Sequence, residues 1–443
     1  GAAETEVLAE FISDQTVYPI MEGRPDLYRA FMCQVWEHQS GQGISSLIHM
    51  ETHFTDAKTP GLRAAAYRHL RRHWQFINEL QLFDIDHHNA YGIHVYGAER
   101  TPSFIHAASL YHPDTVQRSL KHDGSGQEPG FKDPHTGTWD LRPHAARIES
   151  IDEVTLKTWQ SVTESDDWSS TSMVSTVNSA AARTLTTLAT QPRIGSLDLH
   201  FSTGWNETTD FQRGLFSKRW GAASWGDAIL QGPHLHVSTP LYKQPNESMK
   251  HNLDWTSTDL EALAPRAQPV TQYKPEGDRA TYDRLYTHWD NSPARDHYRI
   301  AWRAMAANTG ERTLIPAIIP PGTAHPNGVF SSGSATITGR SLVTAQAGLS
   351  ALLADFTLRA LPKSGIYFPD FSRLPALPHN HPLTTRVVLR ALRLNCVTDA
   401  YADLWVECWD EAFLDDSPIL ERYDERPIGP EWTADTPLRR AED

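Results

Sequence analysis

Three arginines, Arg299, Arg303 and Arg312, fall within one short span, "YRIAWRAMAANTGERTLIPAIIPPGTAH" (298–325). The pattern predicts an arginine-bearing helix, a sharp turn at Asn308-Thr309-Gly310, an apolar strand and a stop at Pro320-Pro321. Arg299 and Arg303, four residues apart, would share one side of that helix. A guanidinium can fork onto a phosphate or a guanine edge. The same groups can instead pair with Glu311 or Asp296, or sit in solvent, where an ion pair contributes little. His325 follows the double proline, as a turn residue or as a further polar contact.

Other groups with chemical potential are scattered. The 22 histidines include His87-His88 and His234-Leu-His236. Neither pair has a cysteine or second ligand cluster at metal spacing, so no metal site is expected. The acid pairs Asp166-Asp167 and Asp415-Asp416 are ordinary in a chain of net charge −14. No Gly-x-Ser-x-Gly elbow is present. Cys33, Cys396 and Cys408 are far apart and odd in number, which argues against a disulfide framework. The acidic balance argues against a sequence-independent nucleic-acid binder but leaves room for a local basic groove.

These groups need a scaffold, and 443 residues imply two or three domains. No apolar run approaches the ~20 residues of a membrane span. The start lacks a secretion signal, so a cytoplasmic protein without membrane contact is expected. Residues 4–13 predict an amphipathic helix through Val7, Leu8, Phe11 and Ile12. A second helix follows Pro25, with Leu27, Phe31 and Val35 at i+4, and ends at Gly41 and Gly43. "ISSLIHM" (44–50) predicts a strand. Thr55-Asp56 would cap a third helix whose face is Leu62, Ala66, Leu70 and Trp74. "FINELQLFDI" (76–85), "YGIHVYG" and "SFIHAASLY" predict three more strands. The order predicts an α/β fold: parallel strands joined by a helix, then an antiparallel hairpin, as in the second half of a doubly wound sheet.

The series "PDLYRAFMCQVWEHQSGQGISSLIHMETHFTD…LRAAAYRHL…INELQLFD…YGIHVYG" resembles the region downstream of the catalytic motif in amino-group DNA methyltransferases. The likeness is to the Taq-type adenine enzymes and the large fused restriction–methylation enzymes. The matching parts are Asp26-Leu27-Tyr28 with Phe31, Gly41 to Ile48, Leu62-Arg63, and Leu82-Phe83. Met50 stands where the family has proline. The resemblance implies that Phe83 stacks on an adenine swung out of the duplex, since an exocyclic amine inside a base pair is unreachable. Within the pattern itself, Phe83 reads rather as a core residue at a strand end; the resemblance brings the two readings level.

The family draws its methyl group from S-adenosylmethionine, held by a glycine-rich turn after a strand. An Asn/Asp-Pro-Pro-aromatic motif positions the target amine. This chain has no such motif; its double proline is Ile319-Pro320-Pro321-Gly322. "GSGQEPG" (124–130) predicts a loop. The cofactor and catalytic residues are therefore expected in an N-terminal half on the same or another polypeptide.

Residues 1–115 are read as the rear half of a methyltransferase-like domain and 116–190 as a loop-rich connection or insertion. Residues 191–378 resemble the target-recognition domain of the same enzymes, through "WGDAILQGPHLHVSTPLYKQP", the arginine span, Gly348–Arg359 and "RLPALP". Residues 379–443 are a helical segment, with Arg386, Arg390 and Arg393 on one face. The resemblance implies DNA contacts from Arg299, Arg303, Arg312 and His325, and duplex DNA as partner, with other defence-system subunits possible. The function implied is adenine-specific DNA methylation in a restriction or phage-defence system. A non-catalytic DNA-recognition or scaffold subunit is the alternative, and a carbohydrate-active protein a third, suggested only by the 14 Trp and many acids.

Overall fold

A computed structural model describes residues 2–306, 310–361, 365–416, 428–430 and 432–435. The turn expected at Asn308-Thr309 lies outside the described residues. The chain forms two compact units: Gly1–Gln191 with Arg359–Pro362, and Pro192–Leu358 with Lys363–Asp443. The mixed α/β fold expected from the sequence is observed, and none of the sheets among the described residues closes into a barrel.

In the first unit, helices α1 (Ala2–Ser13) and α2 (Leu27–His38) precede strand β1 (Ser45–Met50). Asp26 caps α2, its carboxylate accepting from Tyr28 N. Helix α3 (Pro60–His69) begins at Thr59 with proline in its first turn, not at Thr55-Asp56. It passes without a break into β2 (Leu70–Ile77). Leu70 and Trp74 therefore belong to a strand, not to the expected helical face; both are buried. The β-branched and aromatic run "HWQFI" favours extended chain there. Strands β3 (Ala90–Tyr96), β4 (Phe104–Leu110) and β5 (Glu149–Ile151) follow. Helix α4 (Pro113–Ser119) lies between β4 and β5; α5 (Glu153–Thr163) and α6 (Ser179–Ala189) come after. The segment expected as a loop-rich connection thus adds a strand and two long helices to the first unit.

The sheet order is β1-β3-β2-β4-β5. Strand β3 runs antiparallel to both β1 and β2, which makes those two mutually parallel, as expected for strands joined by a helix. The expected β3–β4 hairpin does not form; β4 pairs parallel with β2. Its register slips between Trp74 and Phe76. There Ser109 adopts φ +55°, and Gln75 Oε1 accepts its N–H at 3.0 Å. Trp74, Phe76, Tyr91 and Ala107 form an apolar core on one face of the sheet. Registered partners and alternation place His73, His94 and His106 on the other face.

In the second unit, β6 (His200–Ser202), β7 (Arg299–Arg303), β8 (Pro316–Ile319) and β9 (Val329–Gly333) form an antiparallel sheet ordered β8-β7-β9-β6. The helix expected from 298 is therefore a central strand. Ile300 and Trp302 on one face and Arg299 and Ala301 on the other are all fully buried, and burial on both faces overrides the helical reading. Trp302 stacks on Phe371, with centroids 3.9 Å apart, and donates from Nε1 to Ile366 O at 2.9 Å. Helices α7 (Gly339–Ser350), α8 (Leu352–Ala360), α9 (Thr384–Asn395) and α10 (Ala402–Cys408) complete the described helical layer. The long C-terminal helix expected from the sequence is broken after Asn395. Its first part packs Val388, Leu389 and Leu392 into the core of the second unit, and Arg386 and Arg390 pair with Asp416 at 2.9 and 3.0 Å. No single helix among the described residues is long and apolar enough to cross a membrane.

Candidate functional site

Phe83 follows the end of β2 instead of ending a strand. Strand β2 stops at Ile77, and a 3-10 turn (Asn78–Leu80) leads to Gln81 in the left-handed region at φ +50°. The buried Asn78 side chain organises the loop. Its Nδ2 donates to Phe83 O and Ile85 O, each at 2.9 Å, and its Oδ1 accepts from Phe83 N at 3.1 Å. The Phe83 ring is 43% exposed and touches Tyr91 edge-on at 4.8 Å. The backbone of Phe83 is held while its side chain stays partly exposed. Leu80, Leu82 and Ile85, each about as exposed, extend the apolar tip.

The arginine span resolves differently residue by residue. Arg299 is fully buried. Its guanidinium donates to Tyr286 Oη at 3.3 Å, to Ser331 Oγ at 3.5 Å and to Thr323 O. His325 is also fully buried, with Nε2 2.8 Å from Ser331 Oγ; burial lowers its pKa to about 3, with help from Arg299. As folded, neither offers a polar atom to a duplex, which corrects the expected surface role for these two. Arg303 and Arg312 are half-buried. Arg303 Nη2 donates to Leu235 O at 2.5 Å, and Arg312 Nη2 donates to Ser350 O at 2.8 Å, with Asp355 Oδ1 3.4 Å from its Nε.

These two keep company with other cations. Burial depresses the pKa of His236, and Arg303, Arg312 and Lys243 depress it further against the pull of Glu311. His236 packs on Tyr242 with centroids 4.5 Å apart, and Lys243 Nζ lies 5.1 Å from that tyrosine ring. A partly exposed group of Arg303, Arg312, Lys243, His236 and Tyr242 therefore sits on the second unit, in a protein that is acidic as a whole.

The densest gathering of titratable groups is in the first unit. His94, His73 and His106 stand in register across β3, β2 and β4, and Glu149 on β5 is the registered partner of His106. Glu51, just past the end of β1, turns its Oε1 into the row. It is hydrogen-bonded to His73 Nε2 and lies 3.5 Å from His94 Nε2. His73, His94 and His106 are fully buried. Gly92 makes room: a Cβ there would overlap both Glu51 Oε1 and the His94 ring. His49 stacks on His94 at 3.8 Å, and Phe54 and Trp159 close over His73 and His106. Burial pushes Glu51 upward, but His73 and His94 outweigh it and hold the carboxyl below its ordinary range. Burial lowers His94 and His106 to about 3 and His49 to about 4.

Sequence reasoning missed this cluster because its members come from four separate segments. A signal was available: "RRHWQF", "YGIHVY" and "FIHAAS" each place one histidine inside an apolar strand, and "HMETH" supplies a carboxylate between two more. Among the described residues, two groups have donors close enough together for a metal: Glu51, His73 and His94, and the more exposed Glu79, His87 and His88. The implied S-adenosylmethionine finds no fit here. Gly124 and Gly126 adopt positive φ but follow α4 rather than a strand, and irregular chain comes after them.

No protein-family model matches the sequence, and no curated protein matches it. Among solved structures, the chain is similar to the type IIG restriction endonuclease BpuSI at 10% identity and TM-score 0.28, covering 88% of this chain and 48% of that one. It is also similar to the ATP-dependent type ISP restriction-modification enzyme LlaBIII bound to DNA, at 10% identity and TM-score 0.31, covering 89% of this chain and 27% of that one. The chain thus spans about half of the first of these proteins and about a quarter of the second.

Proposed function

We propose that this chain is part of an S-adenosylmethionine-dependent, adenine-specific DNA methyltransferase of a restriction or phage-defence system, one that holds duplex DNA and receives a flipped adenine. The observation that carries this reading is Phe83. A partly exposed aromatic ring stands on a loop fixed by three hydrogen bonds with one buried asparagine. A base leaving the stack needs its lost stacking replaced, and a fixed aromatic can return on the order of 1–3 kcal/mol. The sheet supports the same reading, because β1 and β2 are parallel with β3 antiparallel between them. On the second unit, Arg303, Arg312 and Lys243 supply positive charge for phosphates, which would set affinity and register.

In this reading, the chain's own residues bind and orient. S-adenosylmethionine would supply the methyl group when bound by sequence outside this chain. The test is 2-aminopurine placed at the target position of a duplex, in the enzyme complete with its cofactor-binding half. Fluorescence should rise on binding and fall back with Phe83→Ala; an unchanged signal in that variant removes the role. A second reading, a non-catalytic DNA-recognition or scaffold subunit, needs only the cationic group of Arg303, Arg312 and Lys243. Cofactor binding by the longer product of the locus separates the two.

A further inference from the structure

We propose that Glu51, His73 and His94 hold a divalent transition-metal ion, with zinc the best match. Two imidazole nitrogens and one carboxylate oxygen, from β2, β3 and the chain after β1, lie within 4.8 Å of one another. That mixed nitrogen and oxygen set suits zinc, whereas calcium and magnesium take oxygen ligands. Three protein donors leave one tetrahedral position for a further ligand.

Three features distinguish this cluster from a chance meeting of polar groups. The His94 ring is fully buried, its Nδ1 has no partner, and its Nε2 has only Glu51 Oε1 at 3.5 Å. A buried imidazole with so little to bond is destabilising unless something else meets it. Gly92 keeps open the space where Glu51 and His94 approach. Finally, His73 already has an outer partner: its Nδ1 lies 2.8 Å from His106 Nδ1. With Nδ1–H donated to His106, the lone pair on His73 Nε2 faces the ion, which is the orientation that outer partners impose on metal-bound histidines. The bond now joining His73 to Glu51 would open to admit it, and the proton that bond holds would pass to solvent.

The purified chain, stripped with a chelator and then dialysed against zinc followed by metal-free buffer, should retain one zinc per chain by mass spectrometry. X-ray absorption at the zinc edge should show a nitrogen and oxygen shell, outer scattering from two imidazoles, and no sulfur. His94→Ala should weaken retention by about 10-fold or more, whereas the double variant His87→Ala/His88→Ala should keep it. Because a His94 variant can lose its fold, the deciding spectrum is that of the His87→Ala/His88→Ala variant, since Glu79, His87 and His88 would give the same shell: two imidazoles retained there assign the zinc to Glu51, His73 and His94. Fewer than two imidazoles, a sulfur ligand, or no zinc retained overturns the assignment, as does retention lost only in the His87/His88 variant.

Discussion

The imidazoles of His73 and His106 meet edge to edge in nearly one plane, with centroids 4.9 Å apart, planes 4° from parallel and Nδ1 atoms 2.8 Å apart. One of the two nitrogens must carry the proton that joins them, so the pair fixes both tautomers. His106→Phe keeps an aromatic ring at that position but leaves His73 Nδ1 without its partner. The expected cost is about 1–3 kcal/mol, the usual penalty for a stranded buried polar atom. Urea unfolding of the variant checks this, and an unchanged midpoint would show that the bond contributes nothing.

Glu149 gives the fold a pH dependence of opposite sign to that of a salt-bridged acid. It is half-buried at a cavity of about 400 Å³ lined also by Trp159, Val174, Thr176 and Arg183. Burial raises its pKa from 4.5 to about 7, against a hydrogen bond from Thr176. A folded-state pKa above the unfolded one favours the protonated form of the native protein. The stability it contributes is complete below about pH 4.5 and is lost as pH rises through about 7. The loss is on the order of 3 kcal/mol at most. Glu149→Gln should flatten this slope, so its Tm should exceed that of the wild type more at pH 8 than at pH 5. Parallel Tm-against-pH curves would remove Glu149 as the source.

The sequence revealed the elements better than their neighbours. Strands 44–50, 91–97 and 103–111 were legible because each is a short apolar run bounded by breakers. The α3–β2 junction was not, since Leu62, Ala66, Leu70 and Trp74 continue a helical spacing across a point where the chain extends. The arginine span failed for a related reason. Arg299 and Arg303 are four apart, which fits a helix, but tertiary pairing with Ile319 and Val329 makes the segment a strand. No local pattern says that Arg299 is satisfied by Tyr286, Thr323 and Ser331, which lie elsewhere in the chain. The histidine row was legible only strand by strand, because registration across three strands is a tertiary fact.

Burial separates the arginines into two classes with different expected phenotypes. Arg299→Ala removes a fully buried side chain and strands the groups it serves, so a loss of about 2–4 kcal/mol in stability is expected. Arg303→Ala with Lys243→Ala should cost less stability than Arg299→Ala, the Leu235 carbonyl alone losing its donor, and should weaken DNA retention. If both meet phosphates, the slope of log K against log salt should become shallower by about 1 for each phosphate no longer neutralised. Equal slopes for wild type and double variant would place the DNA elsewhere.

Asn78 and Phe83 allow presentation of the ring to be tested apart from the ring itself. Phe83 is 43% exposed, so Phe83→Ala should change stability by no more than about 0.5 kcal/mol. Asn78 is fully buried and makes the three hydrogen bonds that hold the loop, so Asn78→Ala should free the segment 79–89. Amide exchange across that segment should accelerate in Asn78→Ala and stay near wild type in Phe83→Ala. With a duplex carrying 2-aminopurine, both variants should lose signal, for different reasons: one lacks the stacking surface, and the other pays entropy to order it on binding. An Asn78 variant with fast exchange and a full signal would show that the loop need not be pre-formed. The base-stacking role would then rest on the ring alone.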